Sequence, residues 1–230
     1  MAKDMTKGNI TSQLIRFTIP LILGNLFQLT YNAADSVIVG KFLGDSALAA
    51  VGTAGPVMNL VILFFSGMCM GAGILMSTMF GAKDYERLEK QISTSLLGGL
   101  AISVFISLFM FLFATPVLQL MKVPDRVLPG ASGYLRIIFA GLIFTFIYNF
   151  FSNTLRALGD SKTPLYFLTI SAVLNIILDV LFVVVFHWGV NGSAIATVLS
   201  GALCCAFCAI HGKCSGHRFY GSICRNKPCG

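Results

Sequence analysis

Charge is scarce in this chain. Only 11% of its 230 residues are Asp, Glu, Lys or Arg, and nine of them are acidic. Soluble domains usually spend about 25% of their residues on charge, so an ordinary water-exposed surface is excluded. Histidine is nearly missing too. His187, His211 and His217 fall at the end of an apolar run or in the tail, which leaves no imidazole for a serine-type relay. No glycine-rich phosphate loop is present, so no motif supports nucleotide-driven work. No basic patch with interleaved aromatics occurs either, and the net charge of +7 therefore gives no support to nucleic-acid binding.

What is abundant is hydrocarbon. Hydrophobic residues make up 56% of the chain and the mean hydropathy is +0.84, values that belong in a bilayer. A spanning helix needs about 20 mostly apolar residues at about 1.5 Å each. Runs of that kind predict six spans, near 14–39, 46–80, 91–115, 128–156, 163–187 and 191–211. The expected fold is all-α, a polytopic membrane bundle forming one transmembrane lobe over residues 1–203. The first run follows a polar stretch and lacks a small-residue cleavage pattern, so it is expected to stay in the mature protein rather than be cut as a signal peptide.

Lysine and arginine set the predicted orientation. Lys3, Lys7, Arg16, Lys83, Arg87, Lys90, Arg156, Lys162, Lys213, Arg218, Arg225 and Lys227 fall on one side, against Lys41, Lys122 and Arg126 on the other. Both termini are therefore expected on the cytoplasmic side of a cell membrane. Arg136, near the outer start of the fourth span, is expected to snorkel to the headgroups.

The connections carry turn chemistry: "GKFLGDSA" (40–47), "GAKDYERLEK" (81–90), "MKVPDRVLPG" (121–130), "RALGDSKTP" (156–164) and "HWGVNGS" (187–193). Pro20 and Pro56 lie inside apolar runs and predict bends. In "SGMCMGAG" (66–73), Gly67 and Gly71 have the four-residue spacing of a close helix crossing. Methionines at 58, 68, 70, 76 and 79 make that span adaptable, as a cavity wall for varied apolar ligands requires. From Cys204 the composition changes. Residues 204–230 hold six of the seven cysteines, and Cys208, His211, Cys214 and His217 recur every third residue. The paired spacing of a zinc site is missing, and thiols in a cytoplasmic tail stay reduced, so neither metal nor disulfide is expected there.

Seven of the nine acids, Asp4, Asp45, Asp84, Glu86, Glu89, Asp125 and Asp160, fall in termini or loops, and only Asp35 and Asp179 lie inside spans. A charged side chain at the bilayer centre costs at least about 2.5 kcal/mol. Counted from the predicted outer ends, Asp35 lies about 6 Å deep and Asp179 about 12 Å, with Thr197 and Tyr134 at about 9 Å. Four helices thus bring polar groups to one stratum. Gln28, Asn32 and Asp35 form one helical stripe, and Ser171, Asn175 and Asp179 another. Such stripes suit a bundle interior or a watery cavity. A buried carboxylate is tolerable when it binds a cation or a proton, and Asp35, Asp179, Asn175 and Thr197 supply the oxygens a hard cation needs.

At these residues the sequence resembles the multidrug and toxic compound extrusion (MATE) family of cation-coupled exporters. The matching stretches are "ADSVIVGKFLGDSALAAVG" (34–52), "GAKDYERLEK" (81–90), "NTLRALGDSKTPLYF" (153–167), "LNIILDVLF" (174–182) and "GVNGSAIATVLS" (189–200). The resemblance implies a twelve-helix protein in two lobes, of which this chain supplies the N-terminal one. It implies cation-coupling roles for Asp35, Asn175, Asp179, Thr197 and Tyr134, and it places Asn149 at a polar position of the fourth helix. Gln28, Asn32, Asn149 and Met58 are the expected substrate-cavity residues. The implied activity is antiport: protons or sodium enter as an organic, often cationic, small molecule leaves. No catalytic residue, cofactor or bound metal is expected, and a homodimer or a lobe from another chain is the expected partner. Two other readings stay open, a flippase for lipid-linked saccharides and a non-transporting lobe that binds a membrane partner. An intramembrane aspartyl protease fits poorly, because Asp35 follows Ala34, Asp179 follows Leu178, and "ALGD" (157–160) lacks the first glycine of that motif.

Overall fold

A computed structural model describes residues 10–206, with side chains for most of them. The chain runs through α1 (Ile10–Leu43), α2 (Asp45–Gly81), α3 (Tyr85–Leu120), α4 (Leu128–Ala140), α5 (Leu142–Ala157), α6 (Lys162–Asp179, continued by π-helical turns Val180–Val185) and α7 (Val190–Ala206). Three helical segments, α2, α3 and Lys162–Val185, are each long and apolar enough to cross a membrane, and the α4–α5 pair makes a fourth. With 34 residues, α1 extends about 51 Å, well beyond the roughly 30 Å hydrocarbon thickness. The expected sixth span begins as α7, and its residues 207–211 lie outside the described residues, as do the tail positions Cys208, His211, Cys214 and His217.

The helices outrun the apolar runs that predict them, because a helix continues as long as its ends are satisfied. The third starts at Tyr85, six residues before the expected apolar start at 91, since the Asp84 carboxylate accepts the Arg87 N–H at 3.2 Å and caps it. Between α1 and α2 the expected eight-residue turn shrinks to Gly44. Its φ of 82° is a left-handed conformation that glycine adopts without strain. Proline produces no break: Pro20, Pro56 and Pro116 all sit inside continuous helices.

The fourth expected span, 128–156, is not one rod. It bends by 49° at Gly141, between α4 and α5. A Cβ at Gly141 would collide with the Val198 side chain, so glycine here lets α7 press directly on the backbone. The expectation for Gly67 and Gly71 is also corrected. A Cβ at either would meet nothing within 4 Å, whereas a Cβ at Gly73 would touch the Asn153 carbonyl at 3.7 Å and one at Gly99 would collide with the Phe146 ring. Small residues mark a crossing only where a neighbour arrives.

The apolar core lies among α2, α3, α4 and α5, where Phe65, Met76, Leu118, Leu135, Phe139, Phe146 and Phe150 are buried. Phe146 packs at 5.7 Å from Phe65 and 5.9 Å from Phe150, ring centre to ring centre. The outer surface is equally apolar. On α3 the exposed Phe105, Leu108, Phe109 and Leu112 follow helical spacing, as a lipid-facing stripe does.

Candidate functional site

Away from that core, α1, α6 and α7 meet along a polar seam. Asp179, the last residue of the regular part of α6, is fully buried, and the π-helical turns begin at the next residue. Such turns are over-represented at functional positions because the inserted residue offsets the backbone ladder. One helical turn earlier, Asn175 is 2% exposed. Its amide donates to Thr197 Oγ1 at 3.3 Å and to Ser200 Oγ at 3.5 Å, tying α6 to α7. From α1, Asp35 Oδ1 accepts the Ser193 hydroxyl at 2.7 Å, which ties α1 to α7.

Asp35 and Asp179 lie within hydrogen-bond reach of each other. Among the described residues no N–H or O–H reaches either oxygen of Asp179. A hydrogen bond between it and Asp35 would need a proton between the two carboxyl groups, since a carboxylate only accepts. Asn175 Oδ1 is a further buried acceptor without a donor. Tyr134, 4% exposed on α4, completes the group, since its phenol lies in the electrostatic field of both carboxyl groups. The structure thus brings together Asp35, Asn175, Asp179, Thr197 and Tyr134.

The other expected residues stand apart from this cluster. Gln28 and Asn32 lie on exposed parts of α1, with Gln28 hydrogen-bonded to Tyr31 and the Asn32 carbonyl accepting from Ser36 at 3.0 Å. Asn149 spends its amide on Thr145 O of its own helix, at 2.9 Å, and Met58 packs against the apolar core. Two members of the site escape a reading for charge and depth. Ser193 stands four residues before Thr197, and Tyr31 four before Asp35; both are found by extending each stripe one turn. Arg136, exposed, donates to Thr115 Oγ1 at 3.3 Å, in keeping with a snorkelling side chain. Among the described residues no cluster of His, Cys, Asp and Glu has the make-up of a metal centre.

At the expected cytoplasmic end of α6, Asp160 accepts the N–H groups of Lys162 and Thr163, each at 3.1 Å, and the Thr163 hydroxyl at 2.7 Å. Burial pushes this carboxyl up, and these donors outweigh it, holding the group below its ordinary range.

A family model described as MatE matches residues 20–181, which include Asp35, Tyr134, Asn175 and Asp179. The chain belongs to the MatE family. Among curated MatE relatives, the "Probable multidrug resistance protein YpnP" of Bacillus subtilis (strain 168) is 37% identical over 199 residues, covering 86% of this chain and 45% of that protein. The "Multidrug export protein MepA" of Staphylococcus aureus (strain NCTC 8325 / PS 47) is 26% identical over 206 residues, covering 89% and 46%. A solved structure described as "Outward-facing conformation of a multidrug resistance MATE family transporter of the MOP superfamily" superposes with a TM-score of 0.83 at 29% identity, over 88% of this chain and 45% of that one. Another, "Reverse polarity of binding pocket suggests different function of a MOP superfamily transporter from Pyrococcus furiosus Vc1 (DSM3638)", gives 0.83 at 30%, over 88% and 44%. The chain spans about half the length of the relatives it matches. It is a multi-pass membrane protein with the fold of one MatE lobe.

Proposed function

We propose that this chain is the N-terminal lobe of a cation-coupled antiporter that exports organic, often cationic, drugs or metabolites, with protons or sodium as the coupling ion. One observation carries the reading. Asp179 is fully buried, lacks a donor from any described N–H or O–H, and faces a second carboxyl within hydrogen-bond reach. Two adjacent carboxylates repel strongly in a medium of low dielectric. A proton or a sodium ion between them removes the repulsion, with Asn175 Oδ1 and the Thr197 hydroxyl as further oxygens within the same seam.

Coupling follows when the cation and the drug favour different arrangements of α1. With the cation present, α1 is held to α6 through the carboxyl pair and to α7 through Ser193. Without it, the like charges on α1 and α6 favour separation, and the exposed Gln28 and Asn32 move with α1 at the cavity wall. The lobe of residues 1–203 lies in a plasma membrane with both termini cytoplasmic. A second lobe completes the cavity in which Met58 and Asn149 serve as substrate contacts. The polar groups gathered in the seam are acidic or neutral, which favours cationic drugs over the anionic headgroups a lipid-saccharide flippase carries.

The test is efflux from liposomes holding the purified protein under an imposed proton or sodium gradient. Wild type is expected to export a cationic dye. Asp35→Asn and Asp179→Asn are each expected to reduce cation-dependent export to background, and unchanged coupling in both would reject the assignment.

A further inference from the structure

The polar seam does not stop at the carboxyl pair. On α7, Ser193, Thr197, Ser200 and Cys204 stand at i, i+4, i+7 and i+11, a continuous stripe about 16 Å long. On α6 the facing stripe is Asp179, Asn175 and Ser171, about 12 Å long. The two are joined at two levels. Asn175 donates to Thr197 and Ser200, and Ser171 Oγ donates to the Ser200 carbonyl at 3.3 Å. Beside Ser171 and Ser200 the seam widens into a cleft with about 10 Å³ of room, lined also by Phe167, Leu174 and Cys204. That volume is at the threshold for a single water molecule.

Two buried groups sit on the α6 side of this seam. Asn175 is 2% exposed with an acceptor oxygen that meets no donor, and Asp179 is fully buried with both oxygens in the same condition. A seam built only for packing pairs such acceptors, because each left unpaired costs about 1–3 kcal/mol. Water would satisfy them. Waters spaced along about 12 Å, from the cleft past Asn175, would connect Asp179 with the Cys204 end of α7.

We infer that the α6–α7 seam is a proton passage, in which water and the Ser171 and Ser200 hydroxyls link the Asp35–Asp179 pair to the expected cytoplasmic half of the lobe. It deepens the antiport reading and rests on it. Each transfer conserves protons: a carboxylic acid gives one to a neighbouring water, and that water or a serine hydroxyl gives one onward while accepting another. The cleft admits about one water. A sodium ion with its hydration shell does not fit, so the route selects protons.

The test uses the full chain in lipid, followed by infrared spectroscopy as H₂O is replaced with D₂O. The protonated-carboxyl C=O band that disappears in Asp179→Asn is the reporter. Ser200→Val and Ser200→Thr are nearly isosteric with each other, and only the threonine keeps a hydroxyl. Deuteration of the band is expected to slow about tenfold or more in Ser200→Val and to stay within about twofold of wild type in Ser200→Thr. Ser171→Val, on the facing helix, is a second arm and is expected to slow exchange as well. Wild-type rates in Ser200→Val and Ser171→Val, or equal slowing in Ser200→Val and Ser200→Thr, overturn the passage while leaving the carboxyl pair in place. If no protonated-carboxyl band is lost in Asp179→Asn, the pair itself fails as a proton site, and the passage falls with it.

Discussion

Among α2, α3, α4 and α5, buried hydroxyls donate to nearby acceptors: Ser107 to the Phe139 carbonyl at 2.6 Å, Ser103 to Leu100 O at 2.9 Å, and Thr154 to Phe150 O at 2.9 Å. Along α1, α6 and α7 the accounting is different. Asp179 and Asn175 keep buried acceptors that no described donor reaches. Ser152 and Arg156 of α5 are the exceptions on the apolar side, with a buried hydroxyl and a buried guanidinium Nε that have no partner among the described residues. The first region therefore resembles the interior of any well-packed protein, while the second holds polar groups in a state that a proton, a cation or water would complete. Both regions are buried. What separates them is whether burial has been compensated inside the chain.

Breaking each region should therefore have opposite consequences for stability. Phe146→Ala empties the centre of the aromatic packing and is expected to cost about 3–5 kcal/mol, read as a lower midpoint of thermal unfolding in detergent. Asp179→Asn is expected to do the reverse, raising stability by about 1–3 kcal/mol, because the amide donates to Asp35 without an added proton. A midpoint that falls by as much as in Phe146→Ala would show that the seam is structural after all.

The smallest effect tests the loop that anchors the seam from below. Asp160→Asn weakens the donors' hold on the start of α6 and is expected to cost about 1 kcal/mol at neutral pH. The sign of its pH dependence follows from the carboxyl lying below its ordinary value of 3.8 in the folded chain. The folded state then binds fewer protons than the unfolded one, so this contribution is complete above the ordinary value and is lost as pH falls through the depressed one. Unfolding midpoints recorded from neutral pH downward should converge for wild type and Asp160→Asn at the acid end. A gap that persists there would remove Asp160 from the cap.

Much of this was legible in the residues. The two intramembrane acids, Asn175, Thr197 and Tyr134 were found by depth and helical spacing, because a charge in hydrocarbon is expensive enough to stand out against an apolar background. Ser193 and Tyr31 were not, since a serine or tyrosine in a membrane helix has several uses and only a neighbour's position selects one. Gly67 and Gly71 show the converse error. Their spacing suggests a crossing, but a Cβ at either would meet nothing within 4 Å, whereas one at Gly99, Gly133 or Gly141 would collide with a neighbouring side chain.

By itself the sequence determined that this is an all-helical membrane bundle and that two of its carboxyl groups lie within helices rather than in loops. Hydropathy and charge act locally along the chain, so they survive reading in one dimension. Only the tertiary structure decided that the fourth span bends by 49° at Gly141, that Ser193 and Asp35 meet across 158 positions, and that the acceptors of Asp179 go without a donor. Those outcomes depend on which helix faces arrive side by side, a matter of packing geometry between segments distant in the chain.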